Sequence, residues 1–249
     1  MPGKILYLGD TSLDGAASYL AGVMQHAGIS FDYFPSDHRI DSETFSDYAA
    51  VVLSDFPAAN FSSDAQQSLV ERVGDGTGLL MCGGWESFQG CDGHWKDTPV
   101  GEILPVEIAD TDDRVNCDQP LMLKTAAEHS ILSGLPWDSR PPIIGGFNQF
   151  QAKPDSRVLL ECQRFAARVD GDDISFTPTE THPLLVLSPT DSVRVAALAT
   201  DVAPHWVGPL VDWGDERVSA QAPGAEEIEV GRYFVQFLSQ LLKWLGGKS

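Results

Sequence analysis

A cysteine that follows an apolar run and precedes two glycines could supply a reactive thiol. Residues 78–81 are predicted to form a buried strand because they are short and continuously apolar, and Cys82 comes directly after them. Gly83 and Gly84 leave room for a sharp strand-to-helix turn, and a helix N-terminus favours a thiolate. Cys82 is then a nucleophile, and the backbone N–H of Gly83 donates to the oxyanion. In the alternative interpretation, Cys82 only fills the end of a buried strand.

A second predicted strand, at residues 193–200, could deliver a general base. Asp201 and His205 follow this strand, and open parallel sheets bind ligands beside the loops at the carboxyl ends of their strands. Histidine is the usual base for a cysteine nucleophile, so this interpretation pairs Cys82 with His205. In the alternative interpretation, His205 is a loop histidine that stacks on Trp206.

Two further strand ends carry acidic residues. Asp10 follows the first apolar run of the chain, and Asp55 follows the third. The edge of the sheet where the strands end is therefore predicted to bind a small-molecule ligand or a protein partner. Aromatic residues near these ends could line the site, and ordinary burial in the core is their alternative. The residues predicted to bind are Asp10, Asp55, Phe56, Gly83, Gly84, Trp85, Ser87, Phe88 and Trp206.

The cysteines and histidines predict neither a metal site nor a cofactor. The four cysteines are Cys82, Cys91, Cys117 and Cys162, and no two of them form a Cys-x-x-Cys pair. Cys91 and His94 have a two-residue gap, but no second pair accompanies them. We therefore expect free thiols, no metal ion and no cofactor.

The elements that must hold these residues alternate between short apolar runs and helical patterns in the first half of the chain. Helical patterns follow Asp14 and Ser62, which are the predicted N-caps. Such alternation is typical of βαβ units, and continuously apolar strands indicate a sheet that is covered on both faces. The predicted fold class is α/β, a flavodoxin-like doubly wound, mostly parallel sheet with helices on both faces. The strands are predicted at residues 4–8, 31–34, 49–54 and 78–81.

The second half of the chain predicts extra β-strands. Pro99 could open a short helix, and a long amphipathic helix closes the chain. The acidic clusters at residues 110–113 and 170–173 are interpreted as solvated loops. We predict a single domain over residues 1–249, with a β-rich elaboration at about 90–190. Strand-like runs, of which the last two are predicted to form a hairpin, lie at residues 121–124, 143–144, 157–160, 184–187 and 193–200.

The charge of the chain argues against several kinds of partner. Acidic residues number 36 and basic residues 16, so the formal net charge is -20. Nucleic acid and anionic membrane surfaces would be repelled. No run approaches the roughly eighteen apolar residues of a membrane span, and the N-terminal apolar run is too short for a signal peptide. We expect a soluble, cytoplasmic protein, and the elaborated surface beyond residue 90 is compatible with a homo-oligomer.

Three segments, taken in order, resemble one family. Residues 78–88 contain the apolar run, Cys82 and the glycines; residues 98–106 read Thr-Pro-Val-Gly-Glu-Ile-Leu-Pro-Val; residues 201–206 read Asp-Val-Ala-Pro-His-Trp. The chain resembles the class I glutamine amidotransferase-like superfamily, in the branch near the trehalose-utilisation-type members. With the closing helix, the resemblance spans most of the chain.

The resemblance implies roles for particular residues. The active amidotransferases carry a Gly-x-Cys-x-Gly elbow with the nucleophile and a late His-x-Glu with the base and its orienting acid. Cys82 falls on the nucleophile position and His205 on the base position. Asp201 or Glu86 could act as the orienting acid.

The chain also departs from the family pattern. Leu80 stands where the first elbow glycine is expected, and Val207 stands where the orienting acid is expected. The loop that would offer a second oxyanion donor contains Pro57, which has no N–H. Two functions therefore follow: a module that binds a small polar ligand or a partner around Cys82 and His205, or an active Cys–His amidohydrolase or glutaminase that forms a thioester.

Overall fold

Strands and helices alternate through the first half of the chain, and long strands dominate the second. The computed structural model describes residues 3–247. Its elements in chain order are β1 (Ile5–Gly9), α1 (Ala17–His26), β2 (Phe31–Phe34), β3 (Ala50–Ser54), α2 (Ser63–Gly74), β4 (Gly78–Cys82), α3 (Pro99–Ile103), β5 (Val106–Glu107), β6 (Arg114–Thr125), β7 (Ile143–Asn148), β8 (Gln151–Ala152), β9 (Arg157–Asp170), β10 (Asp173–Leu187), β11 (Val195–Leu198), α4 (Pro204–Val211), β12 (Arg217–Ala220), β13 (Ile228–Gly231) and α5 (Arg232–Leu245).

One nine-stranded sheet has the order β2-β1-β3-β4-β11-β10-β9-β6-β7. Its first five strands are parallel, and β1, β3, β4 and β11 are buried along their whole length. This explains their continuous apolar character, because helices cover both faces of such strands. In the register of the sheet, Ser54 lies between Gly9 and Cys82, and Cys82 lies beside Leu198. The carboxyl ends of these four strands therefore meet at one edge.

The remaining strands, β10, β9, β6 and β7, are antiparallel to their neighbours. The predicted fold class is confirmed, including the extra strands, and β10 and β11 form the predicted antiparallel pair. Three strands are much longer than predicted, since β6 begins at Arg114, β9 continues to Asp170 and β10 begins at Asp173. Their outer parts are exposed, so no continuous apolar run marks them.

Side chains cap the N-termini of α2 and α3, whereas α1 has no side-chain cap. The Ser62 Oγ accepts the Ala65 N–H at 3.0 Å, which confirms the predicted N-cap of α2. The Thr98 Oγ1 caps α3, whose first residue is proline. Asp14 is the wrong cap for α1, because that helix begins after Ala16.

A single large core joins the sheet to its helices. The buried face of α5 contributes large side chains such as Phe234 and Phe237, and α5 packs against α1 and β4. Elsewhere in the structure, helix α2 packs against helix α3. Over residues 3–247, every helix is too short or too polar to span a membrane.

Candidate ligand site at the strand ends

Four of the predicted site residues come together where the parallel strands end. Asp10 follows β1, Asp55 follows β3, Cys82 is the last residue of β4, and Asp201 lies shortly after β11. These four side chains are close enough to interact electrostatically. Cys82 is buried, and each of the three carboxyl groups raises the pKa of its thiol. The sequence therefore placed these four residues correctly at one edge of the sheet.

The backbone is strained at two of these strand ends. Asp10 has φ of 48° and Asp55 has φ of 49°, which is the left-handed region. Aspartate enters this region more readily than most residues because its short side chain bonds locally. Strained backbone of this kind concentrates at functional sites. The two matching conformations mark the loops after β1 and β3 as a candidate site.

The Asp10 carboxyl lies in a pocket of tyrosines. The Tyr7 Oη donates to Asp10 Oδ2 at 2.9 Å, and the Tyr33 Oη donates to the Asp10 carbonyl oxygen at 3.0 Å. Burial, followed by the neighbouring carboxyls of Asp55 and Glu86, raises the pKa of Asp10 to about 7, although the bond from Tyr7 acts to lower it. Near neutral pH, Asp10 is therefore close to half protonated.

The other two buried carboxyls bond to backbone amides. Asp55 Oδ1 accepts the Glu86 N–H at 2.8 Å, and Asp201 Oδ1 accepts the N–H groups of Val202 at 2.6 Å and Ala203 at 2.9 Å. Burial raises the pKa of Asp55. Burial, together with the charges of Asp55 and Asp10, raises the pKa of Asp201 well above its ordinary value. These carboxyls thus disfavour each other's ionised form.

We call Asp10, Asp55, Glu86 and Asp201 the carboxyl cluster. The basic residue that acts on it is His205, whose charge acts to lower the pKa of Asp55. Within residues 3–247, none of the four forms an ion pair with lysine or arginine. Buried carboxylates are normally paired with a cation or a metal. The same part of the chain holds no set of three or more ligating side chains arranged for a metal ion.

Cys82 lacks the surroundings that were expected of a nucleophile. It is 0% exposed, and burial, followed by the charges of Asp201, Asp10 and Asp55, raises the pKa of its thiol well above the ordinary value. The expected helix after Cys82 is wrong, because the next helix is α3. The Gly83 N–H already donates to the carbonyl oxygens of Leu198 at 2.7 Å and Thr200 at 3.1 Å, so the expected oxyanion donor is occupied.

His205 lies at the rim of the site, in the first turn of α4. It is exposed, and its Nε2 accepts a hydrogen bond from Trp85 Nε1 at 3.1 Å, so a neutral His205 carries its proton on Nδ1. In residues 3–247, His205 forms no hydrogen bond with Cys82, Asp201 or Glu86. The Cys82–His205 pair and its orienting acid therefore remain predictions.

Trp85 forms the other half of the rim. It is 46% exposed, and the Arg114 guanidinium lies 4.6 Å from the centroid of its ring. Arg114 also pairs with Asp112 at 2.6 Å. The indole is thus held between Arg114 and His205, and the backbone of the same residue bonds to Asp55.

The other predicted binding residues divide into two groups. The Ser87 Oγ is buried and accepts the Asp55 N–H at 3.1 Å, so Ser87 holds the backbone of Asp55 in place. Phe56, Phe88 and Trp206 are 1%, 0% and 3% exposed. The structure places these three rings in the core rather than on the surface of the crevice, which agrees with their alternative interpretation as buried aromatics.

Gly84 is a glycine because Asp55 lies against it. A Cβ atom at Gly84 would be 2.2 Å from Asp55 Oδ1, which is well inside van der Waals contact. Any side chain at residue 84 would therefore displace the Asp55 carboxyl.

Sequence reasoning missed the side chain that fixes this glycine, Asn148. Its Oδ1 accepts the Gly84 N–H at 2.8 Å, and its Nδ2 donates to the Gly84 carbonyl oxygen at 3.1 Å and to Asp113 Oδ1 at 2.7 Å. Asp113 in turn accepts the Gln89 N–H at 2.9 Å. Asp113 is only 4% exposed, so the interpretation of residues 110–113 as a solvated loop is wrong for this residue. The available signal was a polar residue at the end of the apolar run of β7.

Comparison with known proteins identifies the family of this chain. The GATase1_like family model, described as "Putative glutamine amidotransferase", matches residues 7–218. The chain belongs to the GATase1_like family. The resemblance inferred from the sequence is thereby confirmed. No curated protein matches the chain.

Solved structures extend the family comparison. Cytoplasmic protein STM1381 from Salmonella typhimurium LT2 is 28% identical, with a TM-score of 0.66, over 83% of this chain and 91% of that one. Cytoplasmic protein STM3548 from Salmonella typhimurium is 23% identical, with a TM-score of 0.72, over 96% and 98%. A ThuA-like protein from Parabacteroides merdae ATCC 43184 shares the fold at 13% identity, with a TM-score of 0.61, over 100% and 91%.

The burial of Cys82 predicts how it responds to alkylation. In the folded GATase1_like protein, we expect iodoacetamide at pH 7.5 to modify the exposed Cys91 about 100-fold faster than Cys82, because a buried thiol with a raised pKa is seldom a thiolate. Mass spectrometry of tryptic peptides gives both rates. If Cys82 reacted faster than Cys91 and lost that advantage in a His205→Ala variant, the result would support an active Cys82–His205 dyad.

Proposed function

We propose that this protein binds a small molecule that carries a protonated amine, and that the ammonium group is held by the carboxyl cluster. The observation that carries the proposal is the burial of Asp10 and Asp201 beside the half-buried Asp55, with no ion pair to a lysine or arginine within residues 3–247. Burial disfavours the ionised forms of these carboxyls, and a cationic ligand would favour them by supplying a positive charge.

The raised pKa values support a cation rather than an anion. Neighbouring carboxyls make Asp10, Glu86 and Asp201 harder to ionise, so an anionic ligand would add to the repulsion. An ammonium group has three N–H donors and one positive charge, which suits several carboxyl oxygens at once. Its binding would lower the pKa values of the cluster and release protons.

The exposure of the cluster supports a small ligand. Asp10 is 9% exposed and Asp201 is 5% exposed, whereas Asp55 and Glu86 are half-buried. Trp85 and His205, which a hydrogen bond joins, are the exposed side chains next to Asp55 and Glu86. The aromatic face of Trp85 suits the aliphatic part of a ligand whose ammonium group reaches the cluster.

Calorimetric titration with methylammonium and with glutamine tests this proposal. Glutamine is included because it carries an ammonium group and gives the family its described activity. We expect binding to be about 10-fold tighter at pH 8 than at pH 6, since Asp10 ionises near pH 7, with protons released into the buffer. Asp55→Asn keeps the Oδ1 acceptor but removes a charge, and we expect at least about 10-fold weaker binding.

Matched controls separate the proposal from its alternative. Asp138→Asn removes one charge at an exposed position and should leave binding unchanged. Cys82→Ala should also bind normally if the thiol has no role. Binding that ignores pH, or that is as strong for methanol as for methylammonium, would refute the amine proposal. Release of ammonia from glutamine that disappears in Cys82→Ala would instead establish the amidohydrolase that acts through a thioester.

We further propose that the protein works in the cytoplasm as one domain. Its two Salmonella relatives are called cytoplasmic proteins, and its buried core is continuous from β1 to α5. The β-rich part at about 90–190 then belongs to the same domain, and it supplies Asn148 to the site.

A further inference from the structure

The hairpin of β9 and β10 extends beyond the rest of the sheet. On one side, β6 pairs with β9 only as far as Gln163, and on the other side β11 pairs with β10 only from Leu185 onward. Residues 165–178, which we call the β-arm, pair only with each other. The six residues on each strand correspond to roughly 20 Å of projecting ribbon.

The β-arm has one entirely apolar face. Residues directly opposite each other in an antiparallel pair share a face, and alternate pairs share the same face. The other face is polar, with Arg168 opposite Ser175 and Asp170 opposite Asp173. The apolar face consists of Phe165 opposite Pro178, Ala167 opposite Phe176, and Val169 opposite Ile174.

Nothing in residues 3–247 covers the outer part of this face. Val169 is 69% exposed, Ile174 is 62% exposed and Phe176 is 66% exposed. Contiguous exposed apolar side chains normally mark an interaction surface. A two-stranded ribbon with open edges is also marginally stable by itself and prone to aggregate. The β-arm therefore needs an apolar partner.

Elsewhere in residues 3–247, no second apolar patch is exposed that could receive the β-arm. Within residues 3–247, the remaining exposed large apolar side chains are Trp85 and Val193, which lie apart in the sequence and on different elements. The β-arm of a second copy would offer an apolar face of the same length. We propose that two copies of this chain associate about a two-fold axis with the apolar faces of their β-arms packed against each other.

Charge explains why a projecting arm would carry the contact. Each copy has a formal net charge of -20, so the bodies of two copies repel each other. The apolar face of the β-arm carries no charged side chain, and the ribbon holds the acidic bodies apart. Salt screens the repulsion, so association should strengthen as ionic strength rises.

The size of the contact sets the expected affinity. Six side chains on about 20 Å of ribbon offer on the order of 400 Å² per copy, about half of what a standard interface buries on each side. The dimer should therefore be concentration-dependent, with a dissociation constant in the micromolar range.

Sedimentation velocity of the full chain at about 1 to 100 µM, in low and high salt, tests this proposal. We expect a monomer–dimer equilibrium that shifts toward dimer in high salt. The double variant Ile174→Ser and Phe176→Ser should weaken association at least about 30-fold. Both side chains are exposed, so the monomer should keep its circular dichroism spectrum and melting temperature. The control is Ser175→Ala, on the opposite face of the same strand, and it should associate like the wild type.

A cross-linking pair provides a second measurement. Ala167→Cys lies on the apolar face near the middle of the β-arm, whereas Ser175→Cys lies on the polar face. In a Cys91→Ser background, which removes the exposed natural thiol, mild oxidation should join two Ala167→Cys chains into a covalent dimer and should leave Ser175→Cys monomeric. A wild type that stays monomeric at 100 µM in high salt, a serine double variant that dimerises like the wild type, or a faster cross-link at Ser175→Cys would each overturn the proposal.

Discussion

Replacing Asp10 with asparagine is expected to raise the free energy of unfolding at pH 8 while leaving it nearly unchanged at pH 4. The folded pKa of Asp10 is about 7, against 3.8 for the ordinary carboxyl. Well below pH 3.8 the carboxyl is protonated in both states and has no cost, and at pH 4 the cost is still small. As pH rises toward 7, the unfolded carboxyl ionises and the folded one resists, so stability is lost. The full difference corresponds to on the order of 4 kcal/mol.

Asparagine does not titrate, so the variant avoids this loss. Its side-chain oxygen can still accept the hydrogen bond from Tyr7. Removing the charge at residue 10 also eases the ionisation of Asp201, whose pKa Asp10 helps to raise. Both effects stabilise the variant at high pH.

Urea unfolding between pH 4 and pH 8 measures the difference between the variant and the wild type. Asp138→Asn is the control, because it removes the same formal charge at an exposed position and should give a difference within about 0.5 kcal/mol at every pH. If Asp10→Asn matched the wild type at pH 8, the raised pKa of Asp10 would be wrong. A variant that is more stable yet no longer binds methylammonium would show that the cluster sacrifices stability for binding.

Replacing Asn148 with alanine is expected to lower the free energy of unfolding by about 4 kcal/mol. The loss has three sources: the N–H and the carbonyl oxygen of Gly84 lose their partners, and Asp113 loses a donor. Because Asn148 is 0% exposed, water cannot easily replace these bonds. Release of Gly84 should also displace Asp55, so binding of methylammonium should weaken.

Chemical denaturation of two Asn148 variants and one neighbour tests this prediction. Gln149→Ala is the control, because its side chain is exposed and the adjacent site is untouched. Asn148→Asp should be destabilised at pH 7, where a second carboxylate would face Asp113, and partly rescued at pH 5, where the pair can share a proton. A loss below 1 kcal/mol for Asn148→Ala would mean that the loop after β4 does not depend on this amide.

The sequence was most informative where local pattern and burial coincide. Continuous apolar runs predicted β1, β3 and β4, and the rule that parallel strands end at a common edge placed Asp10, Asp55 and Cys82 together. The sequence could not predict the raised pKa values of Asp10 and Asp201, because they come from burial and from carboxyl groups that are far apart in the chain.

A helix was wrongly predicted directly after Cys82, because contacts with distant parts of the chain determine the conformation of this loop. Phe88, Cys91, His94 and Asp97 all have positive φ, which their residue types do not announce. The loop is held by distant contacts, such as the 2.9 Å hydrogen bond from Trp95 Nε1 to the carbonyl oxygen of Phe56. Asn148 was missed for the same reason, since its partner Gly84 lies on another strand end far back in the chain.

The order of strands in the sheet has a consequence for how the chain folds. β4 and β11 are neighbours in the sheet, yet residues 83–194 lie between them. Closing so long a loop costs chain entropy, so their pairing should form slowly, after local hairpins such as β9–β10. During synthesis, Asp10, Asp55 and Cys82 leave the ribosome well before Asp201, and the carboxyl cluster is assembled only when the last parallel strand arrives.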